Sequence, residues 1–122
     1  MPKGNILIAE DDAVLRNLYV KKFTTEGYDV QTAEDGEQAI AAIKAKTPDL
    51  LICDIHMPKV DGFQVLKEFP KASRTFPAIM LTNFDQADFK LRAQELGADD
   101  YFVKKDMTIK SLVSMVERLK HL

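Results

Sequence analysis

The chain has 122 residues, 46% of them hydrophobic and 30% charged, with 17 Lys and Arg against 19 Asp and Glu and a net charge of −2. That length fits one domain with a real core and leaves no room for two, and the composition excludes disordered, collagen-like and low-complexity classes. The near-neutral balance argues against a nucleic-acid binder working through net charge, while the single cysteine, Cys53, and only two histidines argue against a disulfide framework or a Cys-based zinc centre.

No apolar run approaches a bilayer span, so no membrane association is expected. Met1-Pro2-Lys3-Gly4 leads into no apolar signal segment, and the expected location is cytoplasmic. Along the chain the hydrophobic period alternates. Asn5-Ile6-Leu7-Ile8-Ala9 is a short apolar run that stops at Glu10-Asp11-Asp12 and reads as a buried strand. Leu15, Leu18, Tyr19 and Phe23 then recur at helical spacing up to Gly27. Tyr28 to Ala33 alternates as a second strand, and Asp35 caps a helix with Ala39, Ile40 and Ile43 on its inner face. Leu50 to Ile55 is apolar except for Asp54, as suits a central strand covered on both faces. Val65, Leu66 and Phe69 mark a third helix ending near Pro70, and Ala78 to Thr82 a fourth strand. Phe89, Ala93 and Leu96 mark a fourth helix before Gly97, and Tyr101 to Lys104 a fifth strand. Ile109, Leu112, Val113, Val116 and Leu119 stripe a last helix. Strands alternating with helices imply an α/β fold with parallel pairing and right-handed crossovers, which put helices on both faces of one sheet.

In such a sheet, ligands sit beyond the carboxyl ends of the strands. The first strand delivers Glu10, Asp11 and Asp12 there, the third Asp54, the fourth Thr82-Asn83 and the fifth Lys104-Lys105. Clustered carboxylates repel unless a cation is present, and hard oxygen donors without Cys or converging His favour Mg²⁺. Asp54 can then attack phosphorus and form an acyl phosphate. Mg²⁺ and the Lys104 ammonium neutralise charge on the phosphoryl oxygens, and the Thr82 hydroxyl donates to them.

At these residues the chain resembles the receiver domains of two-component response regulators, of the single-domain, chemotaxis-regulator-like kind. The resemblance runs over essentially the whole length, residues 1–122, as one receiver domain. It rests on Ile6 to Asp12, on Asp54-Ile55-His56-Met57-Pro58 with Asp61-Gly62, on Leu81-Thr82, and on Gly97-Ala98-Asp99-Asp100-Tyr101 followed by Lys104. It implies a flavodoxin-like five-stranded parallel sheet of order 2-1-3-4-5 and five helices. It also implies Asp54 as phosphoacceptor, Asp11 as a direct Mg²⁺ ligand, Glu10 as its acidic neighbour acting through water, and the backbone carbonyl of His56 as a further ligand. Thr82 and Lys104 match the phosphoryl-contacting pair, and Tyr101 the aromatic that turns inward with Thr82. The implied donor is a histidine kinase or histidine phosphotransfer protein. The implied chemistry is Mg²⁺-assisted self-phosphorylation and autodephosphorylation, with no turnover of a separate substrate. Switching of the surface built by the fourth helix, fifth strand and last helix would control a downstream protein, with room for a phosphorylation-dependent homodimer. Met1 and the finish of the last helix near Leu122 lean toward a complete single-domain regulator without direct nucleic-acid contact.

One position departs from the family pattern: Lys105 stands where proline usually follows the active-site lysine. A cis bond without proline costs about 2.5–4 kcal/mol, so a trans peptide or rearranged loop is expected, with Asp106 or Thr108 capping the last helix. Plainer readings attach to several residues. Asp12 is a helix cap. Cys53 alternates with Asp54 and faces the core. His56 is an exposed loop residue and His121 is solvated. Phe69, Phe76 and Phe84 are packing residues, Phe84 also lying where it could face a partner. Two rival functions remain: a phosphorylation-independent pseudo-receiver acting as an interaction adaptor, and a metal-dependent phosphohydrolase using Asp54 as nucleophile with His56 as general acid. Against the hydrolase, the chain leaves no length for a cap domain. A flavodoxin proper is discarded, because the acidic run would repel the FMN phosphate.

Overall fold

Five short strands supply the frame. In the computed structural model, which describes residues 2–83 and 87–120, they are β1 (Asn5–Ala9), β2 (Asp29–Ala33), β3 (Leu50–Asp54), β4 (Ala78–Thr82) and β5 (Asp100–Val103). All pair in parallel in the order β2-β1-β3-β4-β5. Phe84 and His121 lie outside the described residues. The helices are α1 (Ala13–Thr25), α2 (Gly36–Ala45), α3 (Gly62–Glu68), α4 (Ala87–Glu95) and α5 (Ile109–Leu119).

Side-chain alternation splits the core into two layers. Ile6, Ile8, Leu50, Ile52, Ile79 and Leu81 pack against Tyr19 and Phe23 of α1 and Leu112, Val116 and Leu119 of α5. Leu7, Ala9, Leu51, Cys53 and Met80 pack on the other face against Ala39 and Ile43 of α2, Phe63 and Leu66 of α3, and Ala93 of α4. The central strands β1, β3 and β4 are buried throughout, which is why their sequences run apolar instead of alternating.

The helix starts follow from local chemistry. The Asp12 carboxylate accepts from the Val14 and Leu15 N–H groups, and Asp35 accepts from Gln38 N–H. Asp61 and Gln64 close a reciprocal capping box on α3, as Thr108 and Ser111 do on α5. Thr108, not Asp106, is therefore the α5 cap.

Three expectations shift. β3 ends at Asp54, one residue before the sequence-based limit, and β5 ends at Val103, with Lys104–Asp106 forming a 3₁₀ turn. Leu18 is 49% exposed and not on the inner stripe. The inward stripe runs through the half-buried Leu15 and the buried Tyr19 and Phe23, each four residues apart, and one residue of helical rotation, about 100°, carries Leu18 off that face. No cis peptide occurs among the described residues, in line with the trans peptide expected after Lys104.

Candidate functional site

The register of the sheet decides what meets at its carboxyl edge. Ala9 pairs with Cys53, so Glu10 and Asp54 emerge side by side from β1 and β3. Carboxylate oxygens of Glu10, Asp11 and Asp54 all lie within 4.8 Å of one another. Glu10 and Asp54 are each 1% exposed, whereas Asp11 faces solvent. With Leu15, His56, Asn83 and Lys104 they line a cleft of about 480 Å³. A larger hollow of about 750 Å³, lined by Lys3, Asp49, Thr75 and Lys120 among others, gathers no comparable set of metal-type ligands; chemistry and not size picks out the acidic cleft.

Lys104 reaches into this cleft from the 3₁₀ turn after β5. Its Nζ donates to Glu10 Oε1 at 2.6 Å and to Asp54 Oδ2 at 3.1 Å, with the side chain 9% exposed. The turn closes through Met107 N–H to the Lys104 carbonyl at 3.2 Å, so Lys105 does not prevent Lys104 from being aimed at the rim. Asp54 Oδ1 accepts the His56 N–H at 3.4 Å, and Glu10 Oε2 accepts the Asp12 N–H at 3.3 Å.

Burial sets the electrostatics. Desolvation pushes the Glu10 carboxyl up to about 7, with the charge of Asp54 adding and the Lys104 hydrogen bond opposing. Desolvation also raises Asp54, against the lowering effect of the Glu10 hydrogen bond and of Lys104. Burial alone would lower the Lys104 pKa, but the Glu10 hydrogen bond and the charge of Asp54 outweigh it and raise the value. One ammonium therefore balances less than the full charge of three carboxylates. A hard divalent cation fits the deficit: every side-chain donor is oxygen, and two are already desolvated.

The remaining residues take distinct positions. Thr82 is fully buried at the end of β4. It pairs with Val103, and Met80 pairs with Tyr101, so Thr82 and Tyr101 share one sheet face a single diagonal step apart. The half-buried Tyr101 ring packs on the α2–α3–α4 core layer. His56 is half-buried and not exposed as expected: its ring centroid lies 5.3 Å from that of Phe89, which lies 5.9 Å from Phe63. This stack joins the loop after Asp54 to α4. Cys53 is fully buried on the opposite face, and Asp12 caps α1, both as read from the sequence.

Two contributors escaped sequence reasoning. Gly62 is one: a Cβ there would stand 2.6 Å from the Asp54 carbonyl oxygen and 2.9 Å from Ile55 Cα. Only a bare Cα lets α3 seat behind the phosphoacceptor candidate, and the Asp61-Gly62 dipeptide was the available signal. Arg16 is the other: its guanidinium donates to the Glu10 carbonyl at 2.9 Å. An arginine one turn after an acidic run carried no sequence mark of that contact.

A profile described as "Response regulator receiver domain" matches residues 6–117. Among curated proteins, the chain is 41% identical over 104 residues to the "Probable transcriptional regulator ycf27" of Porphyridium aerugineum, covering 85% of this chain and 43% of that protein. It is 39% identical over 99 residues to the "Alkaline phosphatase synthesis transcriptional regulatory protein PhoP" of Bacillus subtilis, covering 81% and 41%. The chain thus spans about two-fifths of the length of these relatives. Among solved structures, the receiver domain of the Francisella response regulator 1452 superposes with a TM-score of 0.90 at 30% identity, covering 98% of each chain. No helix among the described residues is long and apolar enough to cross a membrane.

Proposed function

The chain belongs to the response regulator receiver domains of two-component signalling, and from that premise we propose that Asp54 accepts a phosphoryl group in a Mg²⁺-dependent reaction. The observation that carries this reading is the convergence of the Glu10, Asp11 and Asp54 carboxylates with Lys104 Nζ at the carboxyl edge of the sheet.

Glu10, Asp11, Asp54 and the backbone carbonyl of His56 would hold the cation, which supplies charge neutralisation for the phosphoryl oxygens. An Asp54 carboxylate oxygen attacks phosphorus, the P–N bond of a phosphohistidine breaks, and the imidazole leaves with the electron pair. Lys104 Nζ, held 3.1 Å from Asp54 Oδ2, is placed to follow a transferred oxygen. Hydrolysis of the acyl phosphate in the same cleft returns Asp54; no separate substrate is turned over.

The donor is a histidine kinase or histidine phosphotransfer protein. Val14 and Leu18, 77% and 49% exposed, stand one turn apart on α1 beside Leu15, which lines the cleft. Such an apolar ridge fits a donor helix that presents its phosphohistidine to the rim. Attraction of the Thr82 hydroxyl and Lys104 toward the new phosphoryl oxygens would open space for Tyr101 on the shared sheet face, altering the surface of α4, β5 and α5 that meets a downstream protein. The two curated relatives described are named as transcriptional regulators, and this chain spans only about two-fifths of their length. The adaptor reading is weaker, because Glu10, Asp11, Asp54, Thr82 and Lys104 all stand at the strand ends that phosphorylation requires.

The test is intact-mass measurement after incubation with acetyl phosphate and Mg²⁺. A gain of one phosphoryl group that disappears in EDTA and in Asp54→Ala supports the reading. No gain in the wild type, or a gain that survives Asp54→Ala, refutes it.

A further inference from the structure

Arg16 has no part in the transfer just described, yet it lies beneath the acidic loop. It is the fourth residue of α1, and its side chain is 14% exposed. The guanidinium turns back under the segment joining β1 to α1. Nη1 donates to the Glu10 carbonyl at 2.9 Å and approaches the Asp11 carbonyl at 3.5 Å, and Nη2 lies 3.5 Å from Glu34 Oε1. The two carbonyls belong to consecutive residues, and these are the two that send carboxylates toward Asp54.

We propose that Arg16 is a positioning residue for the divalent-cation site, fixing the backbone of Glu10 and Asp11 so that their carboxylates converge with Asp54. Three carboxylates within 4.8 Å repel, and that repulsion pushes the exposed loop outward. Both contacts come from Nη1, whose two N–H groups lie in the rigid guanidinium plane: the Glu10 carbonyl is held at 2.9 Å and the Asp11 carbonyl approached at 3.5 Å. Fixing those peptide planes fixes the directions in which the Glu10 and Asp11 side chains leave the backbone. The positive charge under the loop opposes the same repulsion. Lysine carries the charge but not the fixed in-plane direction of those N–H groups. The Glu34 contact is as long as the Asp11 one, but its carboxylate is 63% exposed, and an ion pair screened by solvent orients Arg16 weakly; the 2.9 Å bond to the Glu10 carbonyl is the main hold.

The proposal rests on the cation reading of Glu10, Asp11 and Asp54, and the experiment separates the two. Mg²⁺ is titrated calorimetrically into the wild type, Arg16→Ala, Arg16→Lys and Glu34→Gln, alongside acetyl phosphate labelling across a Mg²⁺ series. Removing a residue that orients metal ligands typically weakens binding by 10–100-fold, so Arg16→Ala is expected to bind Mg²⁺ about tenfold more weakly. Half-saturating Mg²⁺ for labelling should rise by the same factor while the rate at saturating Mg²⁺ stays within about twofold of wild type. Arg16→Lys should recover only part of the loss, and Glu34→Gln should bind as the wild type does. Wild-type affinity in Arg16→Ala, whatever its thermal stability, overturns the proposal, and so does wild-type affinity in Arg16→Lys should the alanine variant fail to fold. A loss in Glu34→Gln equal to that in Arg16→Ala also overturns it, since the ion pair and not the carbonyl contacts would then be responsible. Absence of Mg²⁺ binding by the wild type removes both this proposal and the phosphoacceptor reading beneath it.

Discussion

Replacing Glu10 by glutamine should stabilise the metal-free protein at alkaline pH. Burial and the neighbouring Asp54 push the Glu10 carboxyl from 4.5 up to about 7 in the folded chain. A folded-state pKa above the unfolded one means that the folded chain holds the proton more tightly. The stability Glu10 contributes is then fully present below about pH 4.5 and is lost as pH rises through about 7. At about 1.36 kcal/mol per unit, the loss reaches roughly 2 kcal/mol by pH 6 and about 3 kcal/mol by pH 8. Glu10→Gln keeps the shape and an oxygen acceptor for Lys104 but cannot ionise. Urea unfolding in EDTA should therefore show wild type and variant within about 1 kcal/mol at pH 5, and the variant ahead by about 3 kcal/mol at pH 8. Saturating Mg²⁺ should narrow the gap at pH 8, since ligand binding stabilises most the protein that keeps all three carboxylates. A variant less stable than wild type at pH 8 in EDTA, or a gap that does not change between pH 5 and pH 8, would refute the reasoning.

Other outcomes follow from neighbouring features. Arg74, whose side chain is 1% exposed, donates to the Phe69 and Phe76 carbonyls and pairs with Asp99 at 3.0 Å, tying the segment before β4 to the one before β5. Arg74→Ala leaves Asp99 with Lys71 and the Ala78 N–H but strips the Phe69 and Phe76 carbonyls of their donor, and should cost about 1–3 kcal/mol in urea unfolding. Gly62→Ala forces a methyl group into the Asp54 carbonyl; it should lower stability by about 1–3 kcal/mol and slow acetyl phosphate labelling together, and unaltered labelling would mean that α3 shifts freely. Leu18→Arg should slow transfer from a phosphohistidine protein while leaving labelling by acetyl phosphate unchanged, a comparison that separates docking from chemistry.

The central strands of the sheet were legible because they are short apolar runs bounded by polar residues. Ile6 to Ala9 and Ala78 to Thr82 are buried as their composition demands. The rim was legible for a related reason: Asp54 interrupts an otherwise apolar strand, and a polar residue there has nowhere to go but the strand end. What could not be read was detail set by tertiary rotation and close approach. Leu18 has the composition of a core residue, but the phase of α1 is fixed by Leu15, Tyr19 and Phe23. His56 reads from the sequence as an exposed loop residue; it does lie in the loop, but Phe89, more than thirty positions later, packs against its ring and half-buries it. Arg16 reaches backbone carbonyls, and carbonyls leave no mark in a sequence. Lys105 was a departure whose effect depended on turn geometry, and a 3₁₀ turn accommodates it without moving Lys104 from the cleft.

The two-residue repeat of β3 makes the chain intolerant of miscounting. Cys53 looks into one layer of the interior and Asp54 away from it. One residue gained or lost between Leu50 and Cys53 would swap these outlooks, sending a carboxylate toward Ala39 and Ile43 and a thiol toward Lys104. Point replacements among Leu50, Leu51 and Ile52 keep parity and so leave the orientation of Asp54 intact. Drift in the identity of these aliphatic residues is thus compatible with the chemistry, whereas a one-codon insertion or deletion would silence it.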